Sequence, residues 1–226
     1  MVFTIDKDDI SGNKKSGSTL VKPLEQLLIK TFLPLIPGFI KTYHLTWASL
    51  VFSLLIIIVS FLARNNFSWL WLFSLIMIFQ SIADMFDGEV GRFRKTGLIY
   101  WGFYMDHFLD FIFASAIIIG YAIVLPEYIY LFLLSLLMIN AYFFHESLSC
   151  VVLGKYNVTG YYGVGGTELK LALILINTFI IVFGSSQSIY LFSALFLVLA
   201  VCLILRVYQT QKILWVKDIK KKGAKQ

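Results

Sequence analysis

The chain has few charged residues. Lys, Arg, Asp and Glu make up 14% of its 226 residues, against about 25% in an average soluble domain. Hydrophobic residues make up 59%, so the shortage of charge excludes an ordinary water-soluble domain and indicates an integral membrane protein with one domain. Cysteine is also scarce, because Cys150 and Cys202 are the only two. Both lie in or beside apolar runs, which argues against a disulfide framework.

The amino-terminal residues 1–19 are mostly polar and lack the apolar core of a cleavable signal peptide. We expect them to form a flexible cytosolic tail. Residues 20–40 carry apolar residues at helical spacing, but charges and prolines interrupt them. This segment predicts an interfacial amphipathic helix, or else a helix that packs into the core of the same domain. Residues 41–210 are assigned to a six-helix domain and residues 211–226 to a basic cytosolic tail.

Long apolar runs dominate the rest of the chain. A membrane-spanning helix needs about 20 mainly apolar residues, and six runs approach that length. They lie near Leu45–Ala63, Phe67–Ala83, Ile99–Leu125, Tyr128–Leu148, Leu169–Phe183 and Ile189–Leu205. The predicted fold class is therefore an all-α integral membrane protein, with six transmembrane helices preceded by the interfacial helix.

The basic residues are distributed unequally between alternate loops. If the amino terminus is cytosolic, Arg64 is the only one of the 19 Lys and Arg residues in an outer loop. This agrees with the positive-inside rule and predicts that both termini lie in the cytosol. The net charge of +6 is thereby placed beside the membrane, which favours anionic lipid over nucleic acid as a partner.

Two pairs of aspartates flank the short polar segment between the second and third runs, Asp84 with Asp87 and Asp106 with Asp110. An acidic side chain near a bilayer is costly, so it is functional by default. The members of the pairs are three and four residues apart, which places each pair on one face of a helix. A turn near Lys95–Gly97, where a glycine permits a sharp bend, would bring all four carboxylates to one level.

Four carboxylates at one level repel each other unless cations neutralise them. The pairs contain no His or Cys, so oxygen ligands predict Mg²⁺, Mn²⁺ or Ca²⁺ instead of zinc. Gly88 and Gly91 let a ligand approach the backbone closely, and Arg92 can bind phosphate oxygens with its planar guanidinium. The combination favours phosphoryl transfer, and the site would lie at the cytosolic side.

The segment resembles the signature of the CDP-alcohol phosphotransferase family, D-x-x-D-G-x-x-A-R followed by G-x-x-x-D-x-x-x-D. The matching residues are Asp84, Asp87, Gly88, Arg92, Gly102, Asp106 and Asp110. The chain departs from the signature at Gly91, where the family usually has Ala. The resemblance implies six transmembrane helices and transfer of a substituted phosphate from a CDP-linked donor to an alcohol, with release of CMP, in phospholipid synthesis.

The resemblance also implies roles for individual residues. Two divalent cations, Mg²⁺ or Mn²⁺, would be held by the four aspartates, and Asp110 would be a candidate general base. The residues implied to bind nucleotide or phosphate are Gly88, Gly91, Arg92 and Gly102. The donor would be CDP-diacylglycerol or a CDP-amino-alcohol. Family members form dimers, so a homodimer is a further expectation.

A second segment, GVGGTELKL, places Glu168 and Lys170 at the start of the fifth run. It is similar to a G-P-T-E-G-L stretch of the choline and ethanolamine phosphotransferase branch, with Gly166 in place of Pro. Glu168 would face the site as an acceptor ligand or alternative base, or would stabilise the first turn of its helix. Lys155 and Lys170 are candidates to contact the acceptor or lipid, and so few basic residues favour an unphosphorylated acceptor.

Other assignments remain open at this point. An ion-coupled transporter would use the aspartates as an intramembrane cation site, although Arg92 and the lack of an internal repeat count against it. A membrane prenyltransferase would bind a metal diphosphate through aspartates, usually with more spans and other spacings. Elsewhere, His145 and Glu146 end the fourth run. We expect them to be exposed at the surface, and the alternative is a contact with residues that surround the site.

Overall fold

The computed structural model describes residues 21–153 and 166–223. In these residues all regular secondary structure is helical, with seven α-helices and no strand. The predicted tail 1–19 and Lys155 lie outside the described residues. The helices are α1 (Lys22–Phe32), α2 (Thr42–Asn65), α3 (Leu70–Phe93), α4 (Ile99–Val124), α5 (Ile129–Leu153), α6 (Gly166–Phe183) and α7 (Ser185–Gly223).

Six of these helices, α2 to α7, are long and apolar enough to cross a membrane. This confirms the predicted fold class, an all-α chain with six candidate spans. Short 3₁₀ turns at Phe67–Trp69 and Pro126–Tyr128 precede α3 and α5. The last helix is longer than predicted, since α7 has 39 residues. At 1.5 Å per residue it extends about 58 Å, well beyond a hydrocarbon layer of about 30 Å.

Helix α1 is too short to span a membrane, because its 11 residues extend only about 16 Å. It begins with a proline in its first turn, a position where the missing N–H has no cost. The backbone N–H of Val21 donates to Oε1 of Glu168 at 3.3 Å, and Oγ1 of Thr167 donates to Oε1 of Glu25 at 3.0 Å. Helix α1 is therefore joined to the start of α6 while Leu24 and Leu27 stay exposed. Its placement in a membrane interface stays a prediction.

The core lies where α2, α3 and α4 pack together. Gly120 on α4 allows the closest approach, since a Cβ built there would lie only 2.6 Å from Oγ of Ser60 on α2. Hydrogen bonds also cross between helices in this region. Tyr121 donates to Oδ1 of Asn177 at 2.8 Å, and Nδ2 of Asn177 donates to Oγ of Ser74 at 2.9 Å. These contacts fix α4, α6 and α3 relative to one another.

Candidate active site

Helices α3 and α4 form an antiparallel hairpin with a tight turn. Lys95 and Gly97 in this turn have positive φ angles of 51° and 72°, the left-handed conformation that glycine adopts without strain. The N–H of Thr96 donates to the carbonyl of Gly91 at 3.2 Å and closes the end of α3. The turn thus lies where the sequence predicted it, with the two aspartate pairs on its two arms.

The hairpin brings three of the four aspartates into contact range. Asp84, Asp106 and Asp110 each offer a carboxylate oxygen within 4.8 Å of the others; we call these three residues the acidic cluster. All three side chains are partly buried. The negative charges of Asp84, Asp110 and Asp87 act on the carboxylate of Asp106. Carboxylates so close together repel each other strongly, and a bound cation would relieve that repulsion.

Asp87 lies outside the acidic cluster and is held separately. Its side chain is 5% exposed, and its Oδ2 atom accepts a hydrogen bond from Oγ1 of Thr46 at 2.6 Å. Among the described residues its Oδ1 atom is buried and has no hydrogen-bond partner. A buried acceptor without a donor is costly, so this oxygen fits the role of a ligand to a cation.

The hydroxyl of Thr46 belongs to a stripe of buried polar residues on α2. Thr42, Thr46, Ser49 and Ser53 are all buried, and their spacing of four, three and four residues places them on one helix face. This stripe faces the hairpin, since Thr46 contacts Asp87 and Oγ of Ser49 lies 3.5 Å from Nε2 of Gln80. Sequence analysis missed both Thr46 and Gln80. The periodicity of hydroxyls in the first apolar run was a visible signal for Thr46.

The comparison with known families identifies the family to which the chain belongs. Residues 42–208 match the model of the CDP-alcohol phosphatidyltransferase family. The chain belongs to this family. No curated protein and no solved structure matches the chain in the corresponding comparisons. As a CDP-alcohol phosphatidyltransferase, it is a transferase of substituted phosphate groups that acts in phospholipid synthesis, with a CDP-alcohol donor, an alcohol acceptor and a membrane lipid environment.

Family membership favours phosphate transfer over the ion-transport and prenyl-transfer alternatives. The family is in general dependent on divalent cations, and the acidic cluster offers ligands of the appropriate type. The family match does not extend to a particular branch, so the resemblance to the choline and ethanolamine phosphotransferases stays a prediction.

The glycines of the CDP-alcohol phosphatidyltransferase signature differ in their surroundings. A Cβ built at Gly91 would lie 3.1 Å from Oγ1 of Thr42, so a larger residue at this position would require Thr42 to shift slightly. At Gly102 no described atom outside its own helical neighbourhood lies within 4 Å of such a Cβ. At Gly88 the nearest atoms belong to the Arg92 guanidinium, at 3.4 Å. Their predicted role in binding nucleotide stays a prediction.

Arg92 forms an ion pair with its neighbour Glu89. Its Nη2 atom lies 2.7 Å from Oε1, and both side chains are substantially exposed. Exposed ion pairs of this kind contribute about 0–1 kcal/mol, so phosphate could replace Glu89 at little cost. Arg94, one residue past the end of α3, instead donates to the carbonyls of Ile36 and Pro37 at 3.0 and 2.8 Å.

Among the described residues, Glu168 contacts Val21 and Lys170 contacts Gln80. Glu168 accepts from the backbone N–H of Val21, and as an acidic residue in the first turn it also stabilises α6 through the helix dipole. Lys170 extends inward, where its Nζ atom donates to Oε1 of Gln80 at 2.5 Å. The role of Glu168 as acceptor ligand or base, and the contact of Lys170 with acceptor or lipid, stay predictions.

The expectation that Glu146 is exposed was wrong. Its side chain is only 13% exposed and accepts from Nη1 of Arg206 at 2.6 Å, while Arg206 is 12% exposed. This pair joins α5 to α7. The signal was present in the sequence, because a Glu and an Arg inside apolar runs each need a partner. Arg206 was missed as a third basic residue beside Lys155 and Lys170.

Proposed function

We propose that this chain transfers a substituted phosphate from CDP-diacylglycerol or a CDP-amino-alcohol to an unphosphorylated alcohol and releases CMP. Asp84, Asp87, Asp106 and Asp110 hold two divalent cations, Mg²⁺ or Mn²⁺. The observation that carries the proposal is the arrangement of these acids: a cluster of three carboxylates within 4.8 Å, beside a fourth whose buried Oδ1 atom has no described partner.

The residues of the site have separate tasks in this proposal. Thr46 orients Asp87 by donating to Oδ2, which leaves Oδ1 for a cation. Divalent cations bound there would neutralise the donor's diphosphate and stabilise CMP as the leaving group. The guanidinium of Arg92 lies where a side chain on Gly88 would point, and it binds phosphate oxygens once Glu89 is displaced. The oxygen of the acceptor hydroxyl attacks the phosphorus that bears the substituent, the bond to CMP breaks, and Asp110 or Glu168 takes the hydroxyl proton.

The preference for an unphosphorylated acceptor is supported by three basic side chains that already have partners within the chain. Lys170 is bound to Gln80, and Arg206 is bound to Glu146. Arg94 is bound to backbone carbonyls of the segment after α1. A phosphorylated acceptor needs a cationic partner of its own, and these three cations already have partners within the chain.

The orientation of the site follows from the distribution of charge. Both termini and the α3–α4 turn are placed in the cytosol by the positive-inside rule, and CDP-linked donors would reach the acidic cluster from that side. A homodimer remains part of the proposal through family resemblance alone.

The test is CMP release by purified protein in lipid nanodiscs, with Mg²⁺ or Mn²⁺, each of the two donor classes and a panel of alcohols. We expect release only when donor, acceptor and cation are all present, and none from Asp106→Asn. The matched control is Asp218→Asn, which alters an exposed aspartate far along α7. Cation flux in proteoliposomes without any CDP-dependent reaction would instead support a transporter.

A further inference from the structure

Lys170 is a charged side chain within one of the candidate membrane spans. A lysine in such a position is costly unless it is paired or reaches water. Here its ammonium group lies inside the bundle, 2.5 Å from Oε1 of Gln80 on α3 and 5.6 Å from the centre of the Phe113 ring on α4. The hydrogen bond and the cation–π contact hold Lys170 toward the core.

Gln80 connects Lys170 to the acidic cluster. Its side chain is fully buried, at 0% exposed. Its Nε2 atom lies 3.4 Å from Oδ1 of Asp110 and 3.5 Å from Oγ of Ser49. An ammonium group has donors only, so the carbonyl oxygen of Gln80 must face Lys170. The amide nitrogen is then turned toward Asp110, and a rotation of the amide by half a turn would place two donors against each other.

We infer that Lys170 and Gln80 are positioning residues, which together fix the orientation of the Asp110 carboxylate for binding of a divalent cation. This inference rests on the proposed function of the aspartates. Gln80 touches Asp110 directly, and Lys170 acts through Gln80 by fixing which end of the amide faces the carboxylate. The assignment differs from the sequence-based one, in which Lys170 contacts the acceptor or lipid.

The ammonium group of Lys170 only donates hydrogen bonds, and this explains why a charged residue is used at position 170. A neutral apolar residue at 170 would remove the donor that holds the carbonyl oxygen of Gln80, so the amide would be oriented only by its long contacts with Asp110 and Ser49. Groups that orient a metal ligand through hydrogen bonds typically contribute about 10-fold to 100-fold to cation affinity. The long donor–acceptor distance at Asp110 favours the lower end of that range.

The test is direct binding of Mn²⁺ to purified protein, measured from the electron paramagnetic resonance signal of free Mn²⁺. The variants are Gln80→Met, Lys170→Met, the double variant and Lys170→Arg, with unbranched replacements that preserve side-chain shape. Gln211→Met and Lys212→Met are the controls, since both alter exposed residues on α7. Thermal unfolding of each variant reports whether it is folded.

We expect Mn²⁺ to bind about 10-fold more weakly to Gln80→Met and Lys170→Met than to the wild type. The double variant should bind as weakly as Gln80→Met alone, because Lys170 acts only through Gln80. Lys170→Arg should bind nearly as the wild type, since it keeps a donor-only cation. Gln80→Met leaves the ammonium group of Lys170 without its acceptor on Gln80 and could fail to fold. The double variant, which also lacks the ammonium group, then tests the inference instead.

Three results would overturn the inference. Unchanged Mn²⁺ binding in the double variant would show that the pair does not position Asp110. Tighter binding in Lys170→Met would show that Lys170 acts on the cluster only as a repelling charge. Weakening in the double variant equal to the product of the single effects would show independent roles.

Mn²⁺ binding and CMP release, measured on the same proteins, separate this inference from the proposed function. If the wild type binds Mn²⁺ as expected but releases no CMP from any donor, the proposed function fails and the positioning role stands. If the wild type releases CMP while Lys170→Met changes only the KM for the acceptor, the positioning role fails and the proposed function stands.

Discussion

Two of the sites with acidic side chains in the candidate membrane spans differ in how their charge is balanced. On α5 and α7, Glu146 and Arg206 neutralise each other at 2.6 Å. On α3 and α4, the acidic cluster places three carboxylates within 4.8 Å. Nε2 of Gln80 lies 3.4 Å from Oδ1 of Asp110, and Nδ1 of His107 lies 3.8 Å from Oδ2 of Asp106. The ion pair between Glu146 and Arg206 joins two helices, whereas the acidic cluster is suited to bind a metal cation.

The largest expected effect comes from removing one charge of the acidic cluster. Asp110→Asn should reduce CMP release roughly 100-fold or more, the range typical of a lost general base or an equivalent group. Because this change also relieves repulsion, the melting temperature should be unchanged or higher. The measurement combines CMP release with thermal unfolding in the same detergent. A variant with normal CMP release would refute the assignment of Asp110 to the site.

Breaking the pair between Glu146 and Arg206 should lower stability and leave turnover intact, which is the reverse of the effect expected for Asp110→Asn. Glu146→Met leaves Arg206 without its carboxylate in a nearly buried position, and breaking such a pair costs about 3–5 kcal/mol. The melting temperature should fall, while CMP release per folded molecule should remain. Glu146→Met combined with Arg206→Met should recover most of the stability. A loss of turnover in a stable double variant would show instead that the pair takes part in the reaction.

Divalent cations should stabilise the wild type against thermal unfolding. A ligand that binds only the folded state at about 100 times its Kd contributes about 2.7 kcal/mol. Mg²⁺ or Mn²⁺ should therefore raise the melting temperature, and a chelator should reverse the rise and abolish CMP release. The rise should be absent in Asp84→Asn and present in Glu146→Met. Equal stabilisation of Asp84→Asn would mean that cations bind somewhere else.

The smallest expected effect concerns the hydroxyl that orients Asp87. Thr46→Val keeps the side-chain shape but removes the 2.6 Å hydrogen bond to Oδ2. Cation binding should weaken roughly 10-fold, with little change in the melting temperature. Thr178→Val is the matched control, since that hydroxyl donates to the carbonyl of Ile174 in its own helix. Similar effects of both variants would show a general response to loss of a threonine hydroxyl.

The parts of the molecule that could be predicted from the sequence depend on short-range regularities. The six apolar runs correspond to the six candidate spans, and the turn at Lys95–Gly97 is where the glycine indicated it. The acidic cluster could be predicted because the spacing of aspartates on two helices of one hairpin almost determines their separation. In each case the information lies within one helix or between two consecutive helices.

The parts that were missed depend on how distant helices are rotated against each other. Thr46 and Asp87 are 41 residues apart, Glu146 and Arg206 are 60 apart, and Gln80 and Lys170 are 90 apart. The periodicity of a single helix shows which face is polar but not which residue of another helix it meets. This is why Glu146 was expected at the surface and why the hydrogen bond between Lys170 and Gln80 could not be predicted.

The contacts of helix α1 bear on where the functional unit begins. The family match starts at Thr42, yet Arg94 in the hairpin turn binds the carbonyls of Ile36 and Pro37, and Thr167 binds Glu25. A protein shortened to the matched region would lose the partners of both the hairpin turn and the start of α6. The family match therefore begins after residues that contact the hairpin turn and the start of α6, and these contacts reach back to α1.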